Sequence, residues 1–130
     1  MKAKASKRPK LVPISEEMKQ WSAMLSQEVS NWPNISSRLM FGFLSLYRKN
    51  AIFAALPHTR GVMTPNSFMF RFAPMPSELR AKAQQTRQIK SEERSPDAKW
   101  YIFELTSADD VRDALWWLNQ AYEAAERKRR

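Results

Sequence analysis

The stretch Arg38-Leu39-Met40-Phe41-Gly42-Phe43-Leu44-Ser45-Leu46-Tyr47-Arg48, followed by Lys49-Asn50 and then Ala51-Ile52-Phe53-Ala54-Ala55-Leu56, decides how this chain folds. Successive residues of an extended chain point to opposite sides. Read that way, Leu39, Phe41, Phe43 and Tyr47 share one face of the first run, while Met40, Leu44 and Leu46 share the other, with Gly42 among them. Both faces are apolar, so the run predicts a strand, Arg38–Arg48, covered on two sides. Lys49-Asn50 predicts a tight hairpin turn into a second strand, Ala51–Leu56.

Upstream, Ser15–Trp32 reads as a helix. Ser15 suits the N-cap, Glu16 and Glu17 face the positive end of the helix dipole, and Met18, Trp21, Leu25, Val29 and Trp32 form one apolar stripe. Pro33 and Asn34 end it. Downstream, the alternation of Phe68, Phe70 and Phe72 with Met69 and Arg71 predicts a third strand. Pro74 and Pro76 open a short helix, Ser77–Gln84. The polar segment Gln85–Lys99 predicts an exposed loop, and Trp100–Leu105 predicts a fourth strand. Ser107 is the expected cap of a last helix, with Asp109 and Asp110 in its first turn and Val111, Leu115, Leu118 and Tyr122 as its buried stripe.

The order is helix, three strands, short helix, strand, helix. That is the α+β class: a roughly four-stranded, mainly antiparallel sheet packed by an N-terminal and a C-terminal helix, with a short helix before the last strand. Two long helices readily cover only one face of such a sheet. The other face would meet a second copy of the chain or form an apolar groove for a ligand, and a homodimer is the preferred reading.

With 130 residues the chain supports one domain, expected over residues 11–126. The net charge of +9 does not belong to that domain. Lys2, Lys4, Lys7, Arg8 and Lys10 form a basic stretch over residues 1–10, and Arg127, Lys128, Arg129 and Arg130 form another; between them acids and bases balance. Both stretches are expected to be disordered basic tails, able to touch a nucleic-acid backbone weakly and without sequence preference. The chain has no cysteine, so disulfides, thiolate nucleophiles and cysteine metal ligands are excluded. No apolar run approaches the ~18 residues of a membrane-spanning helix, and no signal-peptide core follows the basic start. A cytoplasmic location without membrane contact is the expectation.

Two glycines, Gly42 and Gly61, cannot build a three-glycine dinucleotide loop, and no Gly-Lys-Ser/Thr sequence exists for a P-loop. The single histidine, His58, cannot supply a two-histidine metal site. It lies beside Arg60, and the two together could meet an anionic ligand; the alternative is a histidine facing solvent with no task. Asp109-Asp110 is explained by the helix start, and Glu92-Glu93 lies in a charged loop. Glu104 interrupts an apolar strand; it could be a site group, but an edge position facing water is the preferred reading. Trp116 sits about 140° from the buried stripe of its helix, on the face of Arg112, which marks it as a contact with a partner or with a neighbouring loop. No catalytic residue, metal site or cofactor is expected.

Arg38-Leu39-Met40-Phe41-Gly42, Leu46-Tyr47-Arg48 and Ile52-Phe53-Ala54-Ala55-Leu56 resemble the N-terminal domain of TfoX-type proteins. The segment Lys99-Trp100-Tyr101-Ile102-Phe103-Glu104-Leu105, with Asp110-Val111, Ala114-Leu115 and Ala121-Tyr122, is similar to small bacterial proteins labelled "luciferase domain", a group that Val29 and Trp32-Pro33 also suit. Either resemblance implies an α+β domain without established catalytic residues, and the first implies a regulatory role. The reading is therefore a non-catalytic binding or regulatory domain that associates with itself or with a protein. The alternatives are a small-molecule or catalytic site using the His58–Arg60 loop and an apolar sheet face, and a nucleic-acid accessory role for the basic tails.

Overall fold

The run Arg38–Arg48 is two strands, not one. It folds back at Phe41-Gly42, where both residues have left-handed backbone, with φ of 57° and 84°. Positive φ at both central residues marks the two-residue turn whose twist matches its flanking strands. Strand β1 (Ile35–Met40) thus pairs antiparallel with β2 (Phe43–Arg48), with Leu39 opposite Leu44 and Met40 opposite Phe43. Alternation continued through a turn hides the reversal, and phenylalanine is an uncommon occupant of left-handed backbone. Phe41 sits at the tip, 78% exposed.

The computed structural model describes residues 13–62, 64–90 and 99–128, with side chains through residue 125. Lys49-Asn50 links β2 to β3 (Ala51–Pro57) as expected. Leu46 lies opposite Ala54 but Tyr47 lies opposite Ile52, so Phe53 is the extra residue of a β-bulge. The bulge sends Phe53 into the core, where its ring meets that of Tyr122 at 5.7 Å. Strands β4 (Ser67–Arg71), β5 (Ile89–Lys90) and β6 (Trp100–Glu104) complete an antiparallel sheet in the order β1-β2-β3-β4-β6-β5.

The sheet therefore has six strands where four were expected. One addition comes from the hairpin and the other from Ile89–Lys90, which pairs with β6 inside the segment expected to be loop. A two-residue strand carries too little alternation to be read from sequence. The rest of that expected loop, residues 91–98, lies outside the described residues.

Helix α1 (Glu16–Val29) begins at Ser15, whose Oγ accepts from the Met18 backbone N–H at 3.0 Å. Such a cap contributes about 1 kcal/mol. Helix α2 (Ser77–Gln85) precedes β5, and α3 runs from Asp110 to Lys128. Both long helices pack on one face of the sheet, α1 against β3 and α3 against β2, β3 and β4. Met18, Trp21, Leu25 and Val29 of α1 meet Phe68, Phe70, Tyr101 and Phe103 of the sheet in one core cluster with Ala114, Trp117, Leu118 and Tyr122 of α3. Leu115, expected in the buried stripe of α3, is half-buried, and Trp117 takes the central place with its ring 5.7 Å from that of Phe70.

Candidate functional site

Opposite the helices, strand register carries one row of side chains across all six strands. It runs from Arg38 on β1 through Ser45, Ala55, Met69 and Ile102 to Lys90 on β5. At an inter-strand spacing of about 4.8 Å the row is about 24 Å long. It is low at the small residues Ser45 and Ala55, 6% and 4% exposed, and apolar at the half-buried Met69 and Ile102. Its two ends are basic residues, Arg38 without an ion pair among the described residues and Lys90 facing Glu104. Tyr47, Ile52 and Trp100 flank the row toward one end of the strands, and Met40 and Phe43 flank it toward the other, all half-buried. Among the described residues no helix packs on this face.

Two arginines of this face lie over aromatic rings, and a third is opposite one in the strand register. The Arg38 guanidinium lies 5.6 Å from the centre of the Tyr47 ring, and that of Arg60 lies 5.4 Å from the Phe43 ring. Arg71 is the cross-strand partner of Trp100. A cation over an exposed ring gains about 0.5–1 kcal/mol and keeps its charge. Among the described residues none of the three arginines joins an ion pair. Glu104 lies on the same face and faces Lys90 at 3.8 Å. It is therefore not on an edge strand, as the sequence implied: β5 continues the sheet beyond β6.

The position of Arg60 follows from Gly42. The backbone N–H groups of His58 and Thr59 both donate to the Gly42 carbonyl oxygen at 3.0 Å, which folds the turn after β3 over the β1–β2 hairpin. A Cβ on Gly42 would come within 2.5 Å and 2.6 Å of the Arg60 Cγ and Cδ, so the missing side chain is where the Arg60 stem lies. Of the expected ligand pair, Arg60 thus joins the open face, whereas the His58 side chain is exposed.

Trp116 and Arg112 do share an exposed surface, on the helix side. Trp116 is 40% exposed, stands edge-on to Trp117 at 5.0 Å, and carries the Lys82 ammonium of α2 at 5.1 Å from its ring centre. Both residues line a cleft with Trp32, Thr86 and Asp113. This tryptophan is thus already partnered by its own chain. Lys2, Lys4, Lys7, Arg8 and Lys10, with Arg129 and Arg130, lie outside the described residues. Arg127 and Lys128 belong to the last turn of α3, so the second basic stretch begins inside a helix rather than after it. Cations there are favourable, since the helix dipole is negative at that end.

Asp110, expected only to complement a helix dipole, is buried and does more. Its Oδ2 accepts from the Thr106 backbone N–H at 2.8 Å and from the Thr106 hydroxyl at 3.0 Å, and its Oδ1 accepts from Gln88 Nε2 at 3.0 Å. Burial works against the charge, but these bonds and one from the Ser107 backbone outweigh it and hold the pKa below its ordinary value. Burial also raises the pKa of Tyr101, opposed by the nearby Arg80 charge. Among the described residues no three metal-ligating side chains converge, and no helix is long and apolar enough to cross a membrane.

Sequence reasoning reached Arg60 but not Arg38, Tyr47, Arg71 and Trp100 as one surface. The period-two pattern held the signal, and the unrecognised turn at Phe41-Gly42 scrambled which residues share a face. No family model, curated protein or solved structure matches this chain.

Proposed function

We propose that this is a non-catalytic binding domain that holds an extended partner on the open face of its sheet. The observation that carries the reading is the row from Arg38 to Lys90: low at Ser45 and Ala55, apolar at Met69 and Ile102, cationic at Arg38 and flanked by half-buried rings. Catalysis needs a poised acid, base or nucleophile. This face offers guanidinium groups and rings, and its one carboxylate among the described residues, Glu104, stands against Lys90.

Self-association through the same face is the less favoured occupant. A second copy would bring the same three arginines and, among the described residues of the face, no unpaired carboxylate to meet them, and like charges brought together cost affinity. Under this reading the resemblance of Arg38–Leu56 to a regulatory domain gives the binding role its setting. Placing a photoreactive benzoylphenylalanine at Ile102 in the full chain is expected to give a cross-linked adduct in cells. The same probe at Glu28, on the exposed side of α1, is expected to give none. Adducts from position 28 with none from position 102 would overturn the proposal.

A further inference from the structure

Resting on the open face as the binding surface, we infer that its occupant is a single-stranded nucleic acid. The first ground is charge. Arg38 closes one end of the central row, and Arg60 and Arg71 stand beside it, while at the other end Lys90 and Glu104, the only carboxylate in the rows and flanks described above, neutralise each other. A polyanion is the partner such a surface attracts.

The second ground is the rings. Phe43, Tyr47 and Trp100 are half-buried on this face, each beside an arginine. Bases stack on aromatic rings and on guanidinium planes whatever their identity, and phosphates pair with the adjacent cation, so each arginine–aromatic couple offers both halves of a nucleotide site. An acidic peptide would use the arginines and leave the rings without a partner. A duplex fits this face less well: its bases are stacked inside the helix, where the rings on the floor around Ser45 and Ala55 cannot reach them. A row of about 24 Å accommodates about four nucleotides.

The experiment is fluorescence anisotropy of a labelled 12-nucleotide oligothymidylate and its RNA counterpart with the full chain, over a series of salt concentrations. Parallel titrations use a 12-base-pair duplex and a polyglutamate peptide. Binding of the single strands is expected, with the duplex at least 10-fold weaker and log K falling with log salt at a slope of about −2 to −3. Tyr47→Ala and Trp100→Ala should each weaken binding about 5- to 100-fold, with Trp100→Phe recovering most of the loss. Arg71→Gln, a surface change that leaves the fold intact, should reduce the slope by about 0.7.

A variant with Lys2, Lys4, Lys7, Arg8 and Lys10 all changed to Gln separates the face from the basic stretch. If that variant loses binding while Tyr47→Ala and Arg71→Gln retain it in full, the inference is overturned. Binding of polyglutamate but not of the oligonucleotides, weakened by Arg71→Gln, would overturn it while leaving the open face as a binding surface. No binding of either polymer, with no adduct from position 102, would remove both.

Discussion

The Arg48 guanidinium lies 4.0 Å from the centre of the Tyr122 ring and donates through Nη1 to the Tyr122 carbonyl oxygen at 3.0 Å. Arg48 ends β2 and Tyr122 lies in the last third of α3, so the contact fastens helix to hairpin. The Tyr122 hydroxyl donates to the Pro33 carbonyl oxygen at 2.8 Å, and its ring meets Trp32 at 5.0 Å and Phe53 at 5.7 Å. One tyrosine thus joins α3, the bulge in β3 and the segment after α1. Glu123 adds a distant charge at 3.9 Å from Arg48.

This junction predicts a graded loss of stability. Tyr122→Phe keeps the ring and loses one hydrogen bond, and should cost about 1 kcal/mol. Arg48→Ala removes the ring contact and the bond to the helix carbonyl together, and should cost about 2 kcal/mol. Arg48→Lys should fall between them, because an ammonium keeps the charge but not the planar contact. Urea unfolding of the three variants checks the order; an Arg48→Ala midpoint equal to wild type would remove the junction from the stability argument.

The helices and three of the strands were legible because their signals are long and local. Ser15, Glu16 and Glu17 with the Met18–Val29 stripe specify α1 as well by sequence as by structure. The phenylalanine alternation specifies β4. The hairpin at Phe41-Gly42 was not legible, since its turn uses a phenylalanine in left-handed backbone that only the surrounding fold can hold. Nor was the bulge at Phe53, which depends on the register against β2. The candidate face needed both: without the turn and the bulge, Arg38, Tyr47 and Arg71 cannot be assigned to one side. Arg60 reaches it only through the Gly42 contact, a relationship between residues 18 positions apart that no local pattern encodes.

Gly42 can be tested in that light. Gly42→Ala places a side chain at φ 84° and against the Arg60 stem, and should cost about 1–2 kcal/mol. Only part of that cost is steric contact with Arg60. In an Arg60→Ala background the same substitution should cost measurably less, leaving the backbone strain alone. Urea unfolding of the double-mutant cycle is the measurement, and strictly additive losses would show that the two residues do not share the space.

Asp110 predicts a dependence on pH. Its pKa in the folded chain lies below the ordinary 3.8, so its contribution is fully present above that value and is lost as pH falls through the folded one. Asp110→Asn should be less stable than wild type near neutrality, by about 1–2 kcal/mol, through loss of charge-assisted bonds to Thr106 and Gln88. Below pH 3.8 the gap should narrow as the wild-type carboxylate is protonated. Urea midpoints of both proteins between neutral pH and about pH 2 check this. A gap constant across that range would mean that the carboxylate's charge plays no part.

Trp116 and Trp117 are neighbours in sequence with opposite fates. Trp117 is 2% exposed and packs on Phe70, so Trp117→Ala opens a cavity at the centre of the core and should cost about 3–5 kcal/mol. Trp116 is 40% exposed and its partners are Lys82 and the edge of Trp117, so Trp116→Ala should cost about 1 kcal/mol or less. Where Trp117→Ala leaves too little folded protein to titrate, Trp117→Phe gives the same ordering with a smaller cavity. Because Trp116 lies on the helix side, its removal should leave oligonucleotide affinity within about 2-fold of wild type. A 10-fold loss of affinity in Trp116→Ala, with its unfolding midpoint unchanged, would move the binding surface from the open sheet face to the cleft between α2 and α3.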